Sequence, residues 1–184
     1  LPDIDTKIYH FAGLVYGDFD GELFEKAAKH GKVAVDVQSL LRHVEADKTM
    51  AFHDWDEKLK YLPCIDYLKT DAAEAEILTG LSDRAEAAKL LYSWGAREIM
   101  ITHNTEVLIY DGKEIYTCPI KARNLTGRTG RGDTAFAGYI TERLRTRIPE
   151  ALQYCTALVS LKMETPGPFM GTREDVLEYI REFY

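Results

Sequence analysis

The residue types and spacing most capable of chemistry run from Asn124 to Ile140, NLTGRTGRGDTAFAGYI. Three glycines, Gly127, Gly130 and Gly132, lead into Asp133. Ala135, Phe136, Tyr139 and Ile140 then recur at the spacing of one buried helix face. Glycine lets a backbone approach a ligand with no Cβ in the way. The first amides of a helix lack intrahelical partners and carry the positive end of its dipole. A helix starting here therefore predicts a site for anionic oxygens, most naturally phosphate. Asp133 at the mouth of that site can accept a proton from a hydroxyl, so the stretch reads as a phosphoryl-transfer centre. The competing reading of Asp133 is a helix N-cap, for which Asp is favoured. No Lys-Ser/Thr pair follows the glycines, so this is not a Walker loop. Gly130-x-Gly132-x-x-Ala135 meets the relaxed dinucleotide pattern, yet no strand follows to complete a βαβ unit.

Two other groups carry polar chemistry. Asp71 and Glu74 are three residues apart, which places both carboxylates on one side of a helical first turn. Such a pair holds Mg²⁺, usually through waters, or simply favours a helix N-terminus; the spacing alone favours the cap. Asp36, Gln38, Ser39 and Arg42 cluster just beyond a predicted strand, where open α/β sheets keep ligand sites. A turn-capping role serves equally for Asp36.

The elements that position these groups follow from pattern. Apolar runs predict strands at Lys7–Val15, Lys32–Val37 and Cys64–Leu68. Three more are predicted at Glu98–Thr102, Glu106–Tyr110 and Glu114–Ile120, with Asp111-Gly112 as a hairpin turn between the last two. Helices are expected over Glu22–Lys29, closed by His30-Gly31, over Asp54–Tyr61, and in a segment entered through Lys69–Glu74 that ends at Thr79-Gly80. Another runs over Ser82–Tyr92, with Ser82 as cap and Gly95 as stop. Pro149 opens a long helix to about Met163, and Thr172 with Asp175 caps a last one. Strand, helix and strand in the first 37 residues imply a parallel crossover. The fold class is α/β, a three-layer αβα arrangement with a mostly parallel sheet and an antiparallel end.

Composition narrows the function. A chain of 184 residues holds one good core and is short for two domains. With 46% hydrophobic and 29% charged residues it has an ordinary globular balance. A net charge of −7 argues against a nucleic-acid binder, which carries a basic face. No apolar run reaches membrane-spanning length. Cys64, Cys118 and Cys155 stand in no metal-ligand spacing and read as reduced thiols of a cytoplasmic protein. The opening LPDIDTKIYHF lacks Met and a basic leader, and reads as the middle of a longer protein.

The ordered motifs resemble the pfkB family of carbohydrate kinases, with the ribokinase-like fold. The family signature, approximately DTTGAGD before a small and apolar helix, stands here as Gly127-Arg128-Thr129-Gly130-Arg131-Gly132-Asp133 followed by Thr134-Ala135-Phe136-Ala137-Gly138. Lys69 to Gly80, KTDAAEAEILTG, is similar to the family's KPNxxEAxxLTG segment. Arg97 to Gly112 resembles its strand, turn and hairpin, and Ser160 to Glu174 its closing segment, so the likeness runs over essentially the whole chain.

The resemblance implies an ATP- and Mg²⁺-dependent phosphotransferase acting on a hydroxyl of a sugar, a polyol or a related small molecule. It makes Asp133 the general base and the amides of Gly130, Arg131 and Gly132 an anion hole. Thr102, Asn104, Gly127 and Thr129 fall at nucleotide-binding positions, Asp71 and Glu74 at the positions organising metal and phosphates. Asp36, Gln38 and Arg42 are the substrate-side candidates. It also implies that residues 1–184 are the C-terminal, nucleotide-binding portion of one kinase domain, inactive alone, whose acceptor portion and lid lie elsewhere. A homodimer of the full-length protein is compatible with it. The alternatives are a catalytically silent, regulatory relative and a nucleoside kinase. Four positions depart from the family pattern. Gly127 replaces an Asp that contributes to a monovalent-cation site, which predicts little dependence on K⁺ over Na⁺. Arg131 replaces a small residue, Asp71 an Asn, and Thr102-His103-Asn104-Thr105-Glu106 a turn with two glycines.

Overall fold

The computed structural model describes residues 4–184. It has a mostly parallel central sheet with antiparallel strands, flanked by helices. The chain divides into two compact units, residues up to Ile101 with Tyr110–Ile115, and Thr102–Ile109 with Tyr116–Tyr184.

The first unit begins with β1 (Ile8–Phe11), α1 (Glu22–Ala27) and β2 (Lys32–Asp36). β1 and β2 pair in parallel with Ile8 opposite Lys32 and Phe11 opposite Val35, as the strand–helix–strand pattern predicts. A short α2 (Gln38–Leu41) leads to β3 (Arg42–Val44), which pairs antiparallel with β4 (Met50–Phe52) in a separate two-stranded ribbon. Strands of three residues, partly charged, carry too little alternation to be legible in sequence. The helix expected over Asp54–Tyr61 contracts to α3 (Lys58–Tyr61), because Asp54 accepts the Trp55 N–H and holds that end as a turn.

The third strand is displaced from its expected place at Cys64–Leu68. Pro63 sits in a 3-10 turn over Leu62–Cys64, and β5 runs from Tyr67 to Asp71. β5 pairs in parallel with β2, placing Lys69 opposite Asp36. α4 (Ala72–Thr79) follows directly, and α5 (Arg84–Ser93) is capped by Asp83, whose side chain accepts the Glu86 N–H, not by Ser82. β6 (Glu98–Thr102) completes the strand order β1-β2-β5-β6. Buried Val33, Val35, Leu68, Ile99 and Ile101 line these strands, and Phe11 and Phe24 meet edge to face at 4.9 Å.

β7 (Glu106–Tyr110) and β8 (Ile115–Pro119), most of whose residues fall in the second unit, are neighbours joined through the turn that Asp111 closes by accepting the Lys113 and Glu114 N–H groups. α6 (Arg131–Glu142) packs along α7 (Ile148–Lys162). Ala135, Phe136, Tyr139 and Ile140 are all buried, as their spacing predicts. α8 (Arg173–Phe183) buries Val176 and Tyr179 against Ala157 and Leu158 of α7.

α8 starts with a reciprocal box: Thr172 accepts the Asp175 N–H at 3.3 Å, and Asp175 accepts the Thr172 N–H at 2.6 Å. Thr172→Ala removes one of these bonds, so it should lower the unfolding free energy by about 1 kcal/mol. Thr172→Ser should be close to silent. Urea melts of the three proteins check this.

Candidate active site

In the first unit a buried charge cluster forms where β2 and β5 end. The parallel register sets Lys69 beside Asp36, and the Lys69 ammonium lies 2.9 Å from one Asp36 oxygen and 3.1 Å from the other. Glu74, one turn into α4, brings a carboxylate oxygen to 3.9 Å from the same ammonium. Asp36, Lys69 and Glu74 are each at most 4% exposed. Burial works against the charged form of Lys69, but Asp36 and then Glu74 overcome it and hold the pKa above the usual lysine value. Burial pushes Glu74 up to about 7, with the Lys69 charge opposing that rise.

Asp71 is the N-cap of α4 and shares a complete capping box with Glu74. Its side chain accepts the Glu74 N–H at 2.8 Å, while Glu74 accepts the Asp71 N–H at 2.7 Å. The cap favoured by spacing is present. Asp36 also caps, accepting the Gln38 N–H at 3.1 Å, so both its oxygens are engaged. Arg42 begins β3 and belongs to the ribbon. Lys69 escaped the sequence reading; its signal was a lysine in a strand between apolar Leu68 and the Asp71 cap.

In the second unit the glycine loop turns into α6 through Gly130, the N-cap, at φ 75° and ψ 15°. This left-handed conformation suits glycine and disfavours any residue with a Cβ. Asp133 is therefore not the N-cap but the third residue of the helix, and it is exposed. No side-chain cap bond closes this N-terminus, and the first intrahelical amide bond runs from Thr134 back to Gly130. The amides of Arg131, Gly132 and Asp133 thus precede the helical ladder, the position from which anions are bound.

Side chains crowd the same loop. The Asn104 amide oxygen accepts from Arg128 at 3.1 Å and from Arg131 at 2.9 Å. Thr102, buried at the end of β6, precedes a turn in which the His103 N–H donates to the Glu106 carbonyl. Among the described residues His103, Asn104 and Thr105 take no positive φ, so this turn does without the family's glycines. Gly127 is buried, its N–H donating to the Met163 carbonyl at 2.8 Å. The Lys162 ammonium donates to the carbonyls of Gly127 and Thr129, 2.5 Å from each. Lys162 was not singled out in the sequence, where it reads as one more basic residue ending a helix.

A family model described as pfkB family carbohydrate kinase matches residues 5–172. The chain belongs to that family. This pfkB-family chain is 34% identical to a pyrophosphate-dependent kinase of the ribokinase family solved with a pyrophosphate analogue and myo-inositol. That match has a TM-score of 0.88 and covers 96% of this chain and 64% of the other. A cytidine kinase of Thermococcus kodakarensis is 36% identical over 88 residues, 46% of this chain and 31% of the relative. Ribokinase of Arabidopsis thaliana, solved with ribose and ATP, shares the fold at a TM-score of 0.74 and 20% identity, covering 91% of this chain and 55% of its own. The chain spans less than two thirds of the length of each of these relatives.

Glu74 gives a pH signature. Its folded pKa lies above the usual glutamate value of 4.5, at about 7, so between those values the native state binds more protons than the unfolded chain. Stability contributed by protonated Glu74 is present below about pH 4.5 and lost as the pH rises to about 7. Glu74→Gln should flatten this slope and leave the protein relatively more stable at pH 8. Urea melts at pH 4.5, 6 and 8 measure it.

Proposed function

We propose that the protein is a phosphotransferase that moves a phosphoryl group to a hydroxyl of a sugar, a polyol or a related small molecule. The observation that carries this reading is the start of α6: a left-handed Gly130, three amides ahead of the helical ladder, and an exposed carboxylate on Asp133 in the same turn. Asp133 takes the proton of the acceptor hydroxyl as its oxygen attacks phosphorus. The amides of Gly130, Arg131 and Gly132 hold the phosphoryl oxygens as charge redistributes over them. Positioning and charge stabilisation of this kind supply most of the acceleration in phosphoryl transfer. Thr102, Asn104, Gly127 and Thr129 border the phosphoryl donor, for which ATP is the first reading. On the first unit, Asp36, Gln38 and Arg42 are the candidates for the acceptor side.

Mg²⁺ uses one or two carboxylates and completes its shell with phosphate oxygens and water. Asp71 and Glu74 suit that role as a pair already fixed by their capping box. Among the described residues no group of three or more His, Cys, Asp or Glu is placed to hold a metal. When bound, Mg²⁺ supplies neutralising charge to the phosphates; Glu74 orients Asp71 through its main-chain N–H.

A second reading of the donor is inorganic pyrophosphate. Two guanidiniums gathered on Asn104 beside the anion hole favour a compact, highly charged ligand, and the myo-inositol-binding relative is described as pyrophosphate-dependent. The intact protein assayed with Mg·ATP and with Mg·pyrophosphate separates the two, since kcat/KM should be substantial with one and small with the other. Arg128→Ala should raise KM for pyrophosphate more than for ATP. Turnover with neither donor, across sugars, polyols and cytidine, would favour a silent regulatory relative.

Asp133→Asn tests the base. An amide cannot take up the proton with comparable strength, so kcat should fall at least about a hundredfold. The melting temperature and donor binding should stay close to the parent's. A kcat within a few-fold of the parent would remove Asp133 from the mechanism.

A further inference from the structure

Lys162 is 2% exposed and is the last residue of α7. Its ammonium is directed not at a carboxylate but at two backbone carbonyls of the glycine loop, those of Gly127 and Thr129. Burying a positive charge against neutral carbonyls is costly unless the site is built for a cation. Two features build it. The carboxyl end of α7 contributes the negative end of a helix dipole, where cations are favoured. The loop aims carbonyl oxygens inward, the donor set by which backbone cages hold ions such as K⁺.

A monovalent metal ion at this loop does not fit the residues present. The ammonium already takes the carbonyls of Gly127 and Thr129. Gly127 brings no carboxylate, and a Cβ added there would lie 1.9 Å from the Thr165 carbonyl oxygen. A side chain bearing a ligand therefore cannot enter without moving backbone.

We propose that the Lys162 ammonium is the resident cation of the glycine loop, a positioning residue that replaces a bound monovalent metal ion. Thr129 is the residue before the Gly130 N-cap, so fixing its carbonyl fixes the entry into α6 and the direction of its first-turn amides. The same charge adds to the positive field of that helix end. The covalent tether means that the loop is ordered at any concentration of K⁺. This role rests on the phosphotransferase reading only for its effect on rate; the loop's order is a property of the chain.

The test compares the intact protein with Lys162→Ala in buffers of NaCl, KCl or NH₄Cl at equal ionic strength. Thermal melting is read first, because it does not require catalysis. The parent should melt at the same temperature in all three salts. Lys162→Ala should melt lower in NaCl and regain several degrees in KCl or NH₄Cl, with no recovery in tetramethylammonium chloride, which is too large to enter. In activity, the variant should lose about a hundredfold in kcat/KM, the order expected of a displaced site, and recover part of it with NH₄⁺ or K⁺. Several-fold activation of the parent by K⁺ over Na⁺ would overturn the proposal. So would a variant that keeps the parent's melting temperature in NaCl, or one whose melting temperature no small cation raises. Should Lys162→Ala fail to fold in every salt, the parent's response to K⁺ and the behaviour of Lys162→Arg decide; a strong K⁺ requirement in either overturns the proposal. A protein that shows the melting pattern without any turnover keeps this inference and removes the kinase reading instead.

Discussion

An ammonium cannot be buried without partners, and each unit of this chain is arranged around one that is. In the first unit Lys69 lies in a central strand, and the parallel register of β2 with β5 delivers Asp36 to it. Glu74 approaches from the first turn of α4. That triad ties the carboxyl ends of two strands to the start of a helix. It also leaves Glu74 close to the point of holding a proton at neutral pH. Removing Lys69 would leave the Asp36 and Glu74 carboxylates buried beside each other without the cation, which is far more costly than losing a surface ion pair.

The second unit solves the same problem without carboxylates. Lys162 is compensated by backbone oxygens and by the end of its own helix, so its charge is not cancelled by a neighbouring anion. The Arg128 and Arg131 guanidiniums gather on the Asn104 amide oxygen of the same unit. Asp133, exposed beside them, is the one acid in the first turn of α6.

The chain belongs to the pfkB family. The chain aligns with 96% of its own length to a kinase of which it covers 64%. Within that shared portion the departures from the family pattern are coherent. Gly127 stands where a Cβ would meet Thr165, and Lys162 supplies the charge at that point. The turn after Thr102 adopts ordinary backbone angles among the described residues, so losing its glycines cost it no strain.

The sequence by itself determined the glycine loop and the helix it opens, the buried face of α6, the hairpin turn at Asp111 and the cap of α8. These are local: each depends on the conformational freedom of a glycine, on helical periodicity or on a side chain bonding within three residues. Periodicity missed the three-residue strands of the ribbon, and Pro63 moved β5 three residues beyond its apolar start, since a strand's position depends on which neighbour it pairs with. Which residue caps each helix was decided only by the folded backbone: Gly130 takes the cap of α6 ahead of Asp133, whereas Asp71 keeps the cap of α4. Only the tertiary structure decided what Lys69 and Lys162 do. Their partners lie 33 and 35 residues away in sequence, and no local rule states which carbonyls or carboxylates a lysine will meet once strands have paired and helices have packed.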